Sequence, residues 1–585
     1  MAHDPFHEIL ELPNWLLPQQ HLQKAFLISP VLCYSFHLHE RERGVMAKEI
    51  FTLDGGKISE FERLGMSNFD FLSCHDEGNK EEMVTTLENI HLSYLLAGCN
   101  VISTNTFQVN LHSLRERGIC IEEGESIIDT YIDIAHNALL KYECIKGTED
   151  FPLLGGTQKE ESSPYEHLEC FQKRRNHLGI VHPNDSVNTR QYVDSFDLKG
   201  GRWTGSAIRR CQDCYVAFST GGYSSAFGDF SEYSGVMRKG GKETNSGDAE
   251  NGTNSGDQAE VVHSGSGTPG SVTPGSGTPG SGTQLGNAST RHRSHTQRYD
   301  IIINTPLQVG GSPLNRQSKL PRIEMIPVTS TETSRPPRDA FPNRHFFNYG
   351  LEYYINVGDE EIISNCKFKL ESYKRNEDKL HLFSLITSSN VREVFTLYSH
   401  LKTCASHFKN NVVVSFYCNN DRHIGCSDYS FLDIVLVLLY LDSRHHFIKA
   451  IGLNCVNIDY VRELFAPLTR CISSDGYIDV EAYPNRSGEL GRLIKTILRD
   501  LKKNSFLGDV HFFASPNKSL NRVTYDCSRR DVHFETTQER HKHVYNYVGD
   551  WLDVGLTGFG GCCYYNPYDI SLLDYKLGEL ARRRP

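Results

Sequence analysis

Near the end of this chain of 585 residues stand two adjacent cysteines, Cys562 and Cys563, preceded by Gly560 and Gly561. Well before them, Gly452-Leu453-Asn454 runs into Cys455. Adjacent cysteines do not close a relaxed disulfide, because bridge geometry sets the two Cα atoms further apart than neighbours usually sit. After a short apolar run and two glycines, they point side by side from a loop. Cys455 also closes an apolar run and can complete three thiolates around one metal ion. Three protein ligands leave one position open, which is how a catalytic zinc is held, whereas four closed ligands mark a structural one. The open position is the part that suggests chemistry.

Such residues need rigid elements to bring them together. Eight short apolar runs suit buried parallel strands: 50–53, 100–103, 215–219, 380–386, 412–417, 448–453, 478–483 and 556–560. Helical spacing lies between several of them. Met83, Leu87, Ile90, Tyr94 and Leu95 recur at helical intervals over 81–97, and 131–142 and 391–401 behave similarly. Strands alternating with helices in this number predict an α/β fold, a (β/α)8 TIM barrel, whose chemistry sits at the carboxyl ends of the strands. The cysteines follow the sixth and eighth runs. An open doubly wound sheet is the alternative.

The chain is too long for one ordinary domain, but it fits a barrel with long disordered insertions. Residues 1–45 read as an N-terminal extension with apolar pieces such as Trp15 and Phe26, and 46–580 as the barrel. One polar insert, 147–201, carries a helix around 166–175. Another, 239–345, is rich in Gly, Ser, Thr and Pro, with SGSGTPGSVTPGSGTPGSGT at 264–283. That stretch has almost no apolar area to offset chain entropy and is expected to be disordered. The formal charge of −11 gives no reason to expect nucleic acid or an acidic membrane as partner. The longest apolar stretch, around 434–441, is too short to span a bilayer. Residues 1–23 lack the basic start and apolar core of a secretory leader. The seventeen cysteines are odd in number and scattered, which points to a reducing, cytoplasmic setting. The pairs His445-His446 and His541/His543 read as solvated surface.

Several pieces together resemble the zinc-dependent homocysteine S-methyltransferases. They are Leu53-Asp54-Gly55-Gly56 with Glu60 and Arg63-Leu64-Gly65, and Ala97 through Gln108 with its Thr104-Asn105-Thr106-Phe107 core. Tyr215-Val216-Ala217, Ser231-Glu232-Tyr233-Ser234-Gly235, Ile451 through Cys455, Tyr483-Pro484-Asn485 and Gly560 through Cys563 complete the set in the expected order. The resemblance implies Zn2+ held by Cys455, Cys562 and Cys563, with the sulfur of homocysteine as fourth ligand. It implies a sulfonium methyl donor, S-adenosylmethionine or S-methylmethionine, and methionine as product. Asp54 is expected to help hold the homocysteine amine, and Thr387 to match a family threonine beside the substrate. Asn105 and Thr106 are expected either to shape the rim or to touch the ligand.

Two departures stand out. The family carries a Glu-Thr pair after its fourth strand, and here Ile386 precedes Thr387. An alkyl side chain offers an ammonium no charge-assisted hydrogen bond. The third loop reads Ser219-Thr220-Gly221-Gly222-Tyr223, where the family tends to have Gly-Ser-x-Gly-Pro. A homocysteine methyltransferase is therefore weighed against a catalytically weak zinc barrel acting as a binding protein. A betaine-using relative is the lesser alternative, since the chain ends soon after Cys563.

Overall fold

A computed structural model describes residues 48–66, 80–146, 163–196, 198, 203, 208–226, 237–238, 298–304, 322–328, 344–347, 354–355, 359–425, 427, 429–472, 477–484, 489–502, 507, 509–518, 521–526, 531–536 and 542–582. Eight strands carry the architecture: β1 Lys48–Thr52, β2 Val101–Ser103, β3 Tyr215–Thr220, β4 Leu382–Ser388, β5 Val412–Phe416, β6 Ile448–Asn454, β7 His511–Ser515 and β8 Gly558–Phe559. From β2 onward each pairs in parallel with the next. β8 then pairs in parallel with β1, Phe51 opposite Gly558 and Thr52 opposite Phe559. The last seam is a parallel bridge from Leu53 to Val101. Beside it, Asn100 N donates to Thr52 O at 2.7 Å and Asp54 N to Val101 O at 3.1 Å. The sheet closes on itself. The fold is the (β/α)8 barrel, and the closed seam rules out the open sheet.

The helices fall between the strands in chain order: α1 Lys57–Arg63, α2 Lys80–Leu96, α3 Ile121–Ile145, α4 Pro164–His177, α5 Asp359–Arg375, α6 Val391–Leu401, α7 Phe431–Asp442, α8 Val461–Cys471, α9 Glu489–Leu501, α10 Val544–Asp553 and α11 Pro567–Arg582. The amphipathic stripe of α9 buries Leu493, Ile494, Ile497, Leu498 and Leu501, and α9 packs on α7, which is buried along almost its whole length. Among the described residues no helix is long and apolar enough to cross a membrane.

The seventh strand departs from expectation. Among the described residues, 478–483 make a single antiparallel bridge, Ile472 to Ile478. Asp479 Oδ1 then accepts from Glu481 N at 3.0 Å and Ala482 N at 3.4 Å. An aspartate that bonds the backbone two residues on makes a turn and competes with the sheet ladder. The strand is His511–Ser515 instead, and it opens on a histidine whose Nδ1 lies 3.0 Å from Thr557 Oγ1. Burial pushes the His511 imidazole down to about 3, so it is neutral at physiological pH. Its ring meets Phe51 edge-on at 4.7 Å. Phe513, further along β7, lies opposite Gly452 of β6 and Gly558 of β8. A Cβ on Gly452 would sit 2.4 Å from Phe513 Cδ1, and one on Gly558 2.5 Å from Phe513 Cβ. The glycines make room for the aromatic ring.

The polar stretch at 147–201 holds more structure than its composition suggests. Ser163 and Glu166 form a reciprocal capping box with Pro164 in the first turn, which starts α4. α4 packs against α11 and α2, burying Leu168, Phe171 and Arg175. Its buried charge is matched: Arg175 Nη1 lies 2.6 Å from Asp185 Oδ2, and Asp185 Oδ1 lies 2.8 Å from Arg63 Nη1. Arg63 in turn holds Glu60 at 2.6 Å. In and just beyond 239–345, Arg298–Asn304 pairs antiparallel with Arg322–Val328 and with Arg344–Phe347. The repeat at 264–283 and the extension at 1–45 lie outside the described residues.

Candidate metal centre

The three cysteines meet at the carboxyl ends of β6 and β8. Cys455 follows β6 directly, with a left-handed φ of +58°. The Cys562 and Cys563 pair follows β8 after Gly560 and Gly561. Both glycines are sterically required: a Cβ on Gly560 would lie 2.7 Å from Leu53 Cβ, and one on Gly561 2.1 Å from the Tyr565 ring. The sulfurs of Cys455 and Cys562 are 2.6 Å apart and those of Cys562 and Cys563 3.9 Å. One sulfur from each of the three falls within 4.8 Å of the others, a group that could hold a metal ion.

The end of β7, between them, ties the two cysteine loops together. Cys455 N donates to Ser515 O at 3.0 Å and Cys562 N to Pro516 O at 2.8 Å. Asn517 reaches both sides: its Nδ2 donates to Cys455 O at 2.9 Å, and its Oδ1 accepts from Cys563 N at 3.2 Å. Lys518 N donates to Cys563 O at 3.1 Å. Lys518 Nζ is itself anchored on the buried Asp569 at 2.9 Å. Asp569 also accepts from Tyr192 Oη at 2.7 Å and faces His543 Nε2 at 3.2 Å. His543, expected on the surface, is buried here, its Nδ1 accepting from Tyr545 N at 3.0 Å. Although burial works the other way, Lys518 and His543 hold the Asp569 carboxyl well below its usual range.

The electrostatics of the cluster favour protonation of Cys455 and Cys562. Hydrogen bonding to Cys562, then to Cys563, together with burial, pushes the Cys455 thiol well above its usual range. Cys562 is raised too: the bond with Cys455 pulls it down, and the Cys563 contact and burial outweigh that. A bound divalent cation inverts this logic, since a coordinating thiol is deprotonated outright. The donor set is soft, three sulfurs and no carboxylate, and three protein ligands on a four-coordinate ion would leave one position for another ligand.

The first-strand loop borders the same centre. A Cβ on Gly56 would lie 2.7 Å from Cys562 O and 3.3 Å from Cys563 Cα. Asp54 is buried, and its carboxylate is engaged: Oδ2 with Lys57 Nζ at 2.7 Å and Ser103 N at 2.8 Å, Oδ1 with Ser103 Oγ at 3.1 Å. Thr387, at the end of β4, has a left-handed φ of +55°. Its hydroxyl donates to Asn454 Oδ1 and lies 3.9 Å from Cys455 Sγ. Ile386 beside it is half-buried. Two buried polar atoms at the same end of the barrel lack partners among the described residues, Asn105 Nδ2 and Ser388 Oγ. Thr106 is a structural link, its hydroxyl donating to Ser219 O at 2.7 Å. The loop at 231–235 and Asn485 lie outside the described residues. Asn517 was not singled out in the sequence, and the only signal there is its place between a proline and a lysine just beyond an apolar run.

Comparison with known proteins identifies the family. The family model described as homocysteine S-methyltransferase matches residues 51–152 and 368–577, more than half of the chain. Homocysteine S-methyltransferase 2 of Arabidopsis thaliana is 32% identical over 93 residues, covering 15% of this chain and 26% of that protein. Homocysteine S-methyltransferase 3 of the same plant is 29% identical over 106 residues, covering 18% and 30%. Selenocysteine Se-methyltransferase of Brassica oleracea var. italica is 30% identical over 93 residues, covering 15% and 25%. The chain thus spans less than a third of the length of each curated relative it matches. Among solved structures, the metallated homocysteine methyltransferase MmuM of Escherichia coli aligns with a TM-score of 0.42 at 13% identity, over 90% of this chain and 96% of that one.

Proposed function

The chain belongs to the homocysteine S-methyltransferase family, and on that premise we propose that it is a methyltransferase acting on the sulfur of homocysteine to form methionine. The observation that carries the reading is the convergence of Cys455, Cys562 and Cys563, one sulfur each within 4.8 Å, at the carboxyl ends of barrel strands. We infer zinc as the ion, because a set of three thiolates is soft and suits it. Zinc held there would keep the homocysteine sulfur deprotonated, the nucleophilic form, at neutral pH. The donor is a sulfonium compound, S-adenosylmethionine or S-methylmethionine. A carbon–sulfur bond forms to homocysteine as the one to the donor breaks, its electron pair stays on the donor, and a neutral thioether leaves.

The chain's own residues supply position. Asn517 fixes the cysteine loops relative to each other, so the sulfurs need no rearrangement to converge. Thr387 Oγ1 lies 3.9 Å from Cys455 Sγ. The unpartnered amide nitrogen of Asn105 is a donor suited to the carboxylate of an amino acid, and a buried donor without an acceptor gains most from binding one. Asp54 meets an ammonium only by sharing its carboxylate with Lys57 and Ser103. Thirteen cysteines among the described residues are free, which suits a reducing compartment such as the cytoplasm. Ile386 is the feature that favours the other reading, a barrel that keeps zinc and binds without turnover.

The test is an assay of zinc-loaded protein with homocysteine and each of three donors, S-adenosylmethionine, S-methylmethionine and betaine, read as methionine formed. Methionine from a sulfonium donor is the expected result. Protein that carries zinc yet neither binds homocysteine nor forms methionine with any donor overturns the enzyme reading in favour of the binding protein.

A further inference from the structure

Tyr564 follows Cys563 directly, is 39% exposed, and has a left-handed φ of +67°. That conformation is unfavourable for any residue with a Cβ, and glycine would adopt it freely. The turn is held from both sides. Tyr564 N donates to Ser59 Oγ at 2.9 Å, and Ser59 Oγ donates to Gly56 O at 3.0 Å. Tyr565 N donates to Cys562 O at 3.2 Å. A large aromatic side chain is thus kept open at the mouth of the barrel, in a strained backbone, next to the cysteine cluster. Residues held in such conformations cluster at ligand clamps, where the strain serves the site.

The chemistry of the donor narrows what the ring can do. A sulfonium carries its positive charge on a sulfur bonded to three carbons, with no N–H or O–H to donate. An aromatic face attracts such a cation without a hydrogen bond. We propose that Tyr564 is the residue that seats the positively charged sulfur of the methyl donor, a specificity contact that rests on the methyl-transfer reading above. The contact also distinguishes donor from spent donor. Once the methyl group has moved, the leaving sulfur is a neutral thioether, the attraction to the ring disappears, and release is favoured.

The test compares binding of two sulfonium–thioether pairs to the zinc-loaded full chain by calorimetry: S-methylmethionine with methionine, and S-adenosylmethionine with S-adenosylhomocysteine. Wild type is expected to prefer the sulfonium in at least one pair. Tyr564→Phe keeps the preference, and Tyr564→Gly reduces it by roughly fivefold, in line with one lost cation–aromatic contact. Zinc content and homocysteine affinity stay as in wild type. The thermal midpoint of Tyr564→Gly is level or higher, because glycine relieves the left-handed backbone. Tyr564→Leu supplies the same ratio should the glycine variant prove insoluble. An unchanged ratio in the variants, or no preference in wild type for either pair, overturns the proposal while leaving homocysteine binding intact. Wild type that fails to bind homocysteine overturns it together with the methyl-transfer reading.

Discussion

On the side of the barrel mouth formed by β6, β7 and β8, backbone groups of all three cysteines are bonded to the loop that follows β7. On the side formed by β2, β3 and β4, Asn105 Nδ2 and Ser388 Oγ are buried without partners among the described residues, and an isoleucine stands beside Thr387. The first side brings three sulfurs together in a group that could hold a metal ion. The second offers buried polar atoms that a ligand would satisfy. On the proposed function, holding the sulfur and recognising the rest of the amino acid fall to separate sides of the mouth.

The largest break in that comparison is Cys562→Ala. Two remaining thiolates hold an ion poorly, and zinc by elemental analysis is expected to fall from near one per chain to a small fraction. Full occupancy in this variant would remove Cys562 from the centre. Asn517→Ala is next. It leaves the sulfurs in place but frees the Cys455 carbonyl and the Cys563 N–H, so metal affinity should drop by about 10- to 100-fold, as for other supporting contacts around metal sites. Competition with a chelator reads this out. An affinity equal to wild type would mean the β7 loop only passes by.

On the other side, Ile386→Glu should sharpen recognition. A carboxylate beside Thr387 offers the homocysteine ammonium a bond to a charged group, about 1.5–3 kcal/mol, visible as tighter binding by calorimetry with zinc content unchanged. Binding no tighter than wild type would show that the amino group lies elsewhere, with Asp54 the remaining acid. The smallest effect expected is from replacing 239–345 with a short Gly/Ser linker. Both sides of the mouth are built from strands outside that segment, so zinc content and thermal midpoint should stay near wild type. Insoluble protein would show that the segment packs on the barrel.

The residues legible in the sequence were those with a local signature. A cysteine doublet after two glycines announces itself, and seven of the eight strands are apolar runs close to where they were expected. The seventh was hidden because 478–483 alternates like a strand while Asp479 bends it, and because the true strand opens on His511. With β7 went Asn517, whose role depends on two loops far apart in the chain. The charges of α4 made 147–201 look like solvent-facing chain. Arg175 pairs with Asp185 of the same stretch, and Asp185 pairs in turn with Arg63, a residue that only the fold brings near. Pairing of this kind leaves no mark on periodicity.

The seam of the barrel has a consequence for how the protein comes into being. β1 pairs with β8, so the first strand of the ring must wait for the last to leave the ribosome. Loop-closure entropy grows only slowly with length, which explains how β3, ending at Thr220, still lies beside β4, starting at Leu382. What a long connection changes more is time, because distant pairing slows folding. During synthesis β1 has no partner on the side that β8 will occupy, and Cys562 and Cys563 arrive in the same stretch that completes the ring.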